Sequence, residues 1–270
     1  MLTAVEVPHD LVAAQQALAA GGTLLAGGTH LMPSLTDRAF PPTRLVSLRR
    51  AGLDGTEVDG SAVTLGAATT LATIEADQRL RFLHGCVRSI ASPPVRSLAT
   101  VGGNLFVPQP YGDLAVALLA LDAEVAIHGA AGGRREALQS LLTAGIGPDE
   151  IVTSVHLTAP GPGEFRFHKA ARRRFNSASI VTVAARVVPG GGSSGVVGDI
   201  RIVLGGLAAT PLRGEAAEGL LAGRPLDAES IQAAAEVMQD VIAPFDDAYS
   251  SAWYRRRVFP VHLRRALLGG

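Results

Sequence analysis

Two rhythms of apolar and polar positions alternate along this chain. Residues 11–20, Leu-Val-Ala-Ala-Gln-Gln-Ala-Leu-Ala-Ala, carry apolar side chains at helical spacing and stop at Gly21-Gly22, which predicts a short helix closed by glycine. Strand rhythm follows at 23–26, 43–48 and 62–68. Thr70 stands as an N-cap before a helix that includes residues 73–77. Residues 80–91 keep helical spacing up to Pro93-Pro94, where proline biases the preceding backbone away from helix. A helix is predicted over 113–123 with Asp113 near its start, then a hairpin over 124–138 around Gly132-Gly133, then an alternating strand at 150–157.

Residues 159–164, Ala-Pro-Gly-Pro-Gly-Glu, form a linker and the best domain boundary. Beyond it come three strand patterns, 164–170, 179–188 and 199–208, the last two separated by the glycine-rich stretch 189–198. Helical patterns follow at 212–222, 227–242 and 246–267. Strands followed by helices make the expected class α+β, with a three-stranded antiparallel sheet and helices in the second part. The expected domains are 1–160 and 161–270.

Composition narrows the function classes. With 270 residues, 47% of them apolar, the chain can bury two cores. It has no run of about 18 apolar residues, so no transmembrane segment is expected. No basic-then-apolar leader opens it, and the expected location is cytoplasmic. The net charge is zero, which argues against nucleic acid as a partner. Arg172-Arg173-Arg174 and Arg255-Arg256-Arg257 fit either a solvated face or a docking surface for another subunit. Cys86 is the only cysteine, so neither an internal disulfide nor a four-cysteine iron–sulfur cluster can form. Lys169 is the only lysine among 24 basic residues.

Two glycine stretches stand out, Leu24–Leu31 as "LLAGGTHL" and Leu98–Leu105 as "LATVGGNL". Consecutive backbone N–H groups hold phosphate well, and glycine lets the backbone come close. Ala26 to His30 offers such a row, and Thr100 to Asn104 repeats it, with Thr100 and Asn104 adding side-chain donors. Neither stretch contains Lys or Arg, so a diphosphate here would be held by amides. Both Gly-Gly pairs also fit ordinary tight turns. Neither matches the G-x-G-x-x-G or G-x-x-x-x-G-K-[ST] nucleotide motifs.

Six blocks in order, "LLAGGTHLMP", "LGAATTLATIE", "SPPVRSLATVGGNL", "GDLAVALLALDAEV", "FHKAARR" and "VLGGLAATPLR", resemble the FAD-binding subunit of the molybdenum hydroxylases, the family of xanthine dehydrogenase and aerobic carbon monoxide dehydrogenase. The resemblance spans about residues 3–268. It implies a two-loop FAD diphosphate-binding domain of the PCMH/VAO type, followed by a carbon monoxide dehydrogenase flavoprotein-type C-terminal domain. By the same resemblance Ala26, Gly27, Gly28, Thr29, His30 and Leu31 form the first FAD loop, and Thr100, Gly102, Gly103 and Asn104 the second. Asp113 contacts the adenosine or ribityl portion, Val152 is an apolar flavin contact, Lys169 lies near the flavin ring, and Leu98 packs beside the cofactor. Each has a plainer reading: Asp113 as an N-cap, Val152 as core, Lys169 as a surface charge. Where animal relatives carry an aromatic ten residues before the position of Thr100, this chain has Ile90. Tyr111 is an alternative approach to the ring.

The resemblance implies an electron-transfer flavoprotein subunit with no catalytic residues of its own for substrate and no metal on this chain. The molybdenum–pterin centre is then on a large partner subunit and the [2Fe–2S] centres on a small iron–sulfur subunit, in a dimer of heterotrimers. NAD or another molecule serves as the electron acceptor. Two competing readings are a self-contained flavin oxidase or reductase of the same fold, and a subunit that has lost FAD and serves as a scaffold.

Overall fold

The structure is a computed structural model that describes residues 2–37, 39–173, 176–191 and 195–269. Arg174 and residues 192–194 of the glycine-rich stretch lie outside the described residues. The chain forms two compact units, and two excursions of the N-terminal half belong to the second. Unit one comprises Met1–Leu80, Ser92–Val107 and Ala123–Leu157; unit two comprises Arg81–Ala91, Pro108–Asp122 and Thr158–Gly270.

Unit one holds two sheets. Strands β1 (Ala4–Glu6), β2 (Thr23–Leu25) and β3 (Arg44–Ser47) form a parallel sheet in the order β1-β3-β2. Strands that run parallel in one sheet need crossover connections, and the helix Leu11–Ala19 supplies the one between β1 and β2, which flank β3. Asp10 caps that helix by accepting from the Ala13 amide at 2.7 Å. Its buried face, Ala14, Ala17 and Leu18, packs with Val46 and Leu48. The second sheet runs β4 (Thr56–Asp59), β5 (Ala62–Gly66), β8 (Ile151–Thr158), β6 (Glu124–Gly129), β7 (Gly132–Ala137). In β5, Val63 and Leu65 are buried while their neighbours face outward, the period-2 signature that marked this strand in the sequence.

Unit two is an antiparallel sheet in the order β12 (Leu212–Arg213), β11 (Val197–Gly205), β10 (Ser179–Pro189), β9 (Phe165–Ala171). The three long strands stand where the pattern predicted them. The fourth is a two-residue edge strand at the start of a stretch expected to be helical, because Leu212 and Arg213 pair with Leu204 and Val203 before the helix Glu215–Leu221 begins. One face of β10, formed by Val181, Val183, Ala185 and Val187, shares a core with Phe259, Leu263 and Leu267 of the helix Ala252–Leu268. The helix Asp113–Ala120 is buried at every position and packs on β10 and β11. A helix apolar all round belongs inside a protein. Among the described residues, no helix is long and apolar enough to cross a membrane.

Arg255, fully buried, ties the C-terminal helix to the sheet. Its Nη1 donates to the carbonyls of Ser179, Ile180 and Gly206, and its Nη2 meets Asp247 at 2.6 Å. Farther along, His168 of β9 and His262 of the helix meet ring nitrogen to ring nitrogen at 3.0 Å, stacked at 5.2 Å between centroids. Burial lowers the pKa of both, with help from Arg265; His262 falls to about 4. The unfolded chain then binds more protons than the folded one below about pH 6.5. The pair's stability is therefore present above that pH and is lost as pH falls through about 4. Urea midpoints measured from pH 7 to pH 4 are expected to fall, and His262→Phe is expected to flatten the decline. An identical slope in that variant would refute the assignment.

Candidate functional site

The two glycine stretches meet at one cavity of about 330 Å3 in unit one. The first leaves the end of β2 as a turn, Ala26–His30, and runs into a short helix, Leu31–Ser34. Gly28 sits at φ +70°, a conformation costly for residues with a side chain. Gly27 serves a closer contact: a Cβ there would stand 1.9 Å from the Leu98 carbonyl oxygen and 2.6 Å from its carbon. The turn thus presses directly on the backbone of residues 98–99. Among the described residues, no group of the chain accepts a hydrogen bond from the amides of Gly27, Gly28, Thr29 or His30. These four donors are available to an anion.

The second stretch differs from the expected loop. Val101–Leu105 is a helical turn, and Thr100 is its N-cap, accepting from the Gly103 amide at 3.1 Å. The Val101 amide donates to the Thr69 carbonyl, that of Gly102 to Ala67, and that of Asn104 to Thr100. All four amides from 101 to 104 are therefore engaged within the chain, and the second stretch does not repeat the donor row of the first. The reason is local: Thr70 and Thr100 form a β-bridge that sets the backbone against residues 67–69. This stretch is a wall. A Cβ on Gly103 would lie 3.5 Å from the Ala26 methyl, so the two stretches face each other. Thr100 and Asn104 are buried.

Of the residues singled out in the sequence, Ala26 through Leu31, Thr100, Gly102, Gly103, Asn104 and Val152 all line this cavity. Val152 is 5% exposed on β8, and with Ile151 and Leu48 it gives the cavity apolar lining. Leu98 is not among the lining residues; its side chain is 60% exposed, and its carbonyl is what meets Gly27. His30 is exposed at the mouth, with no side-chain cap bond to the helix it precedes. Sequence reasoning missed Phe106 and Glu150, which also line the cavity. Glu150 accepts from the Gly147 amide at 2.8 Å and pairs with Arg134 at 2.8 Å, and these bonds lower its pKa. Among the described residues no lysine or arginine lines the cavity, so an anion entering it meets the amide row with the side chains of Thr29 and His30 beside it.

Asp113 and Lys169 belong to unit two, where they pair with each other. Asp113 is the first residue of its helix rather than the cap, which is Gly112. Its carboxylate, 2% exposed, takes the Lys169 ammonium at 2.8 Å and the hydroxyls of Ser179 and Thr182 at 2.7 and 2.6 Å. Lys169 also donates to the Ser89 carbonyl at 2.9 Å, so it is not a free surface charge. Burial and the neighbouring carboxylate of Asp113 push the Cys86 thiol well up, keeping it protonated. Ile90 is buried in the same unit. The Tyr111 hydroxyl donates to that of Tyr249 at 2.8 Å.

The fit to a dinucleotide diphosphate rests on the four unpartnered amides, the left-handed Gly28 and the apolar lining. Each hydrogen bond to a charged group contributes about 1.5–3 kcal/mol. Gly27→Ala forces the turn off residues 98–99 and is expected to weaken FAD binding about 10- to 100-fold by flavin fluorescence titration, the loss of one such bond. Gly21→Ala strains a left-handed turn at φ +88° in open space and is expected to leave FAD affinity unchanged. Equal affinity in both variants would remove the turn from the site. In unit two, Asp113→Asn leaves the Lys169 ammonium buried without its counter-charge. It is expected to cost about 3–5 kcal/mol in urea denaturation, with Asp113→Leu/Lys169→Met recovering part of that.

Comparison with known proteins places this architecture. Residues 3–160 match the FAD binding domain in molybdopterin dehydrogenase, and residues 166–269 match the CO dehydrogenase flavoprotein C-terminal domain. The chain is 30% identical to the carbon monoxide dehydrogenase medium chain of Afipia carboxidovorans, over 96% of this chain and 92% of that one. It is 27% identical to the nicotinate dehydrogenase FAD-subunit of Eubacterium barkeri, over 86% and 82%. The solved carbon monoxide dehydrogenase from Hydrogenophaga pseudoflava that lacks the Mo-pyranopterin moiety of its cofactor superposes with a TM-score of 0.93, at 26% identity over 99% of this chain and 96% of that one. With both halves matched and the amide-lined cavity in the first, this chain belongs to the FAD-binding subunits of the molybdenum hydroxylase family, oxidoreductases of the carbon monoxide dehydrogenase and xanthine dehydrogenase type.

Proposed function

We propose that this chain is the electron-transfer flavoprotein of a multi-subunit molybdenum hydroxylase. In this reading a large partner subunit oxidises substrate at a molybdenum–pterin centre, and [2Fe–2S] centres on a small iron–sulfur subunit relay the electrons. This chain receives them and passes them to NAD or another external acceptor. The three chains assemble as a dimer of heterotrimers in the cytoplasm. Support comes from relatives named as medium chains or FAD subunits of dehydrogenases, matched over most of their length.

The observation that carries the reading is what the cavity holds and what it does not. It has a row of amides without acceptors and apolar lining, while among the described residues its ionisable side chains are His30 at the mouth and Glu150, which is tied to Arg134. Nothing in it is arranged as a nucleophile, or as an acid and base either side of a small substrate. Bound FAD supplies reversible uptake and release of electrons. Gly27 to His30 bind the diphosphate, the Thr100–Asn104 wall orients it, and Val152 with Ile151 excludes water at the apolar lining. Asp113 and Lys169 are assigned to the flavin through the resemblance.

The test is purification of the complex from its native source. Flavin, molybdenum and iron should co-elute in fixed ratio, and substrate should reduce the flavin. The chain expressed alone should bind FAD, hold neither metal, and turn over no small substrate with an artificial acceptor. Substrate turnover by the isolated flavoprotein would favour a self-contained oxidase or reductase. A chain that stays colourless with added FAD would favour the scaffold.

A further inference from the structure

The chain has three tyrosines and one tryptophan, and all four gather at one end of unit two. Tyr249, Trp253 and Tyr254 line an open cleft of about 540 Å3 together with Arg172 and the serines 250 and 251. Tyr111 stands edge-on to Tyr249, ring centroids 5.8 Å apart. Trp253 is 67% exposed and Tyr254 43%, so this is surface and not core. Soluble monomers seldom leave such side chains together in water.

The helix Ala252–Leu268 continues the feature. Phe259, Leu263, Ala266 and Leu267 face the core. On the opposite side Trp253, Arg257, Val261, Arg264 and Leu268 follow one another at intervals of three and four, and all are exposed. Residues at that spacing share a face. The face therefore alternates apolar and cationic groups. Arg257 lies over the Trp253 ring at 5.5 Å, which orders its guanidinium in advance. Among the described residues, none of Arg172, Arg257 and Arg264 has a carboxylate within 4.0 Å. The helix itself has no acidic residue. In a chain of zero net charge, this is a local cationic excess left without internal compensation.

We propose that this face docks an acidic face of another protein subunit of the complex. Carboxylates of the partner meet Arg172, Arg257 and Arg264, and an apolar side chain of the partner enters the cleft beside Trp253. Trp, Tyr and Arg are the residue types that dominate binding energy at protein interfaces. A helix of 17 residues is about 26 Å long, close to the width of a patch of about 800 Å2, the usual share of one partner. The inference rests on the multi-subunit reading above and adds the surface and the sign of its charge.

The experiment uses the native complex. Arg172→Glu, Arg257→Glu and Arg264→Glu are combined in one chain, and recovery of the other subunits is read by native mass spectrometry, with FAD content as the check on folding. We expect recovery to fall at least tenfold with FAD content unchanged, and the corresponding Arg→Lys triple to retain assembly. Trp253 should be oxidised by hydroxyl radicals in the chain expressed alone and protected in the complex. Unchanged recovery with an exposed Trp253 overturns this surface while leaving the multi-subunit reading intact. Absence of any complex for the unaltered chain overturns both. Binding of the unaltered chain to anionic phosphatidylserine vesicles, or self-association abolished by the triple variant with no other subunit involved, assigns the face to a membrane or to a second copy and also overturns the proposal.

Discussion

A single hydrogen atom decides the shape of the cavity. The turn after β2 reaches the backbone of residues 98–99 so closely that any side chain at Gly27 would overlap a carbonyl. The carbonyls of Gly28 and His30 accept from the Met32 and Ser34 amides, while the turn's own amides, Gly27 to His30, meet no acceptor among the described residues. The opposing stretch is built the other way, with its amides consumed by the Thr100 cap and by residues 67–69. Two sequences that look like repeats therefore do different work. One donates; the other gives the donating row a rigid wall to face.

Unit two is organised around polar groups that cannot reach water. A buried carboxylate is expensive unless it is fully met, and Asp113 is met by an ammonium and two hydroxyls drawn from β9 and β10. The helix that carries Asp113 is apolar everywhere else, so this contact fixes its register on the sheet. Arg255 plays the corresponding part on the other face, closing the carbonyls at the start of β10 and after β11. Apolar packing of similar volume often holds such layers equally well, so these contacts are weak evidence of net stability, while loss of one partner is costly.

Much of this was legible in the sequence. The long strands of unit two show as runs rich in β-branched and apolar residues, and the cap at Thr70 follows from side-chain type and position, whereas the last helix begins at Ala252 behind its Ser251 cap and not at 246. The cavity was legible as two glycine stretches, but the division of labour between them was not. Glycine marks close approach without saying what is approached, and Gly27 approaches protein. The helical turn at 101–105 was hidden because two glycines in five residues lower helix propensity, and tertiary contacts override it. The strand at 212–213 was hidden because its pairing with β11 is non-local. The pairing of Asp113 with Lys169 joins residues 56 apart in sequence, beyond the reach of any local pattern.

The burial of Lys169 has a chemical consequence. It is the one side-chain amine in the chain, and its nitrogen is held between a carboxylate and a carbonyl with 9% of the side chain exposed. Acylating reagents, reductive methylation and amine-directed cross-linkers thus have no ready side-chain target on the folded subunit. The surface is cationic through guanidinium alone, which those reagents leave untouched. Enzymes that mark proteins through lysine meet the same restriction: the mark can be written only on a chain whose second unit has opened.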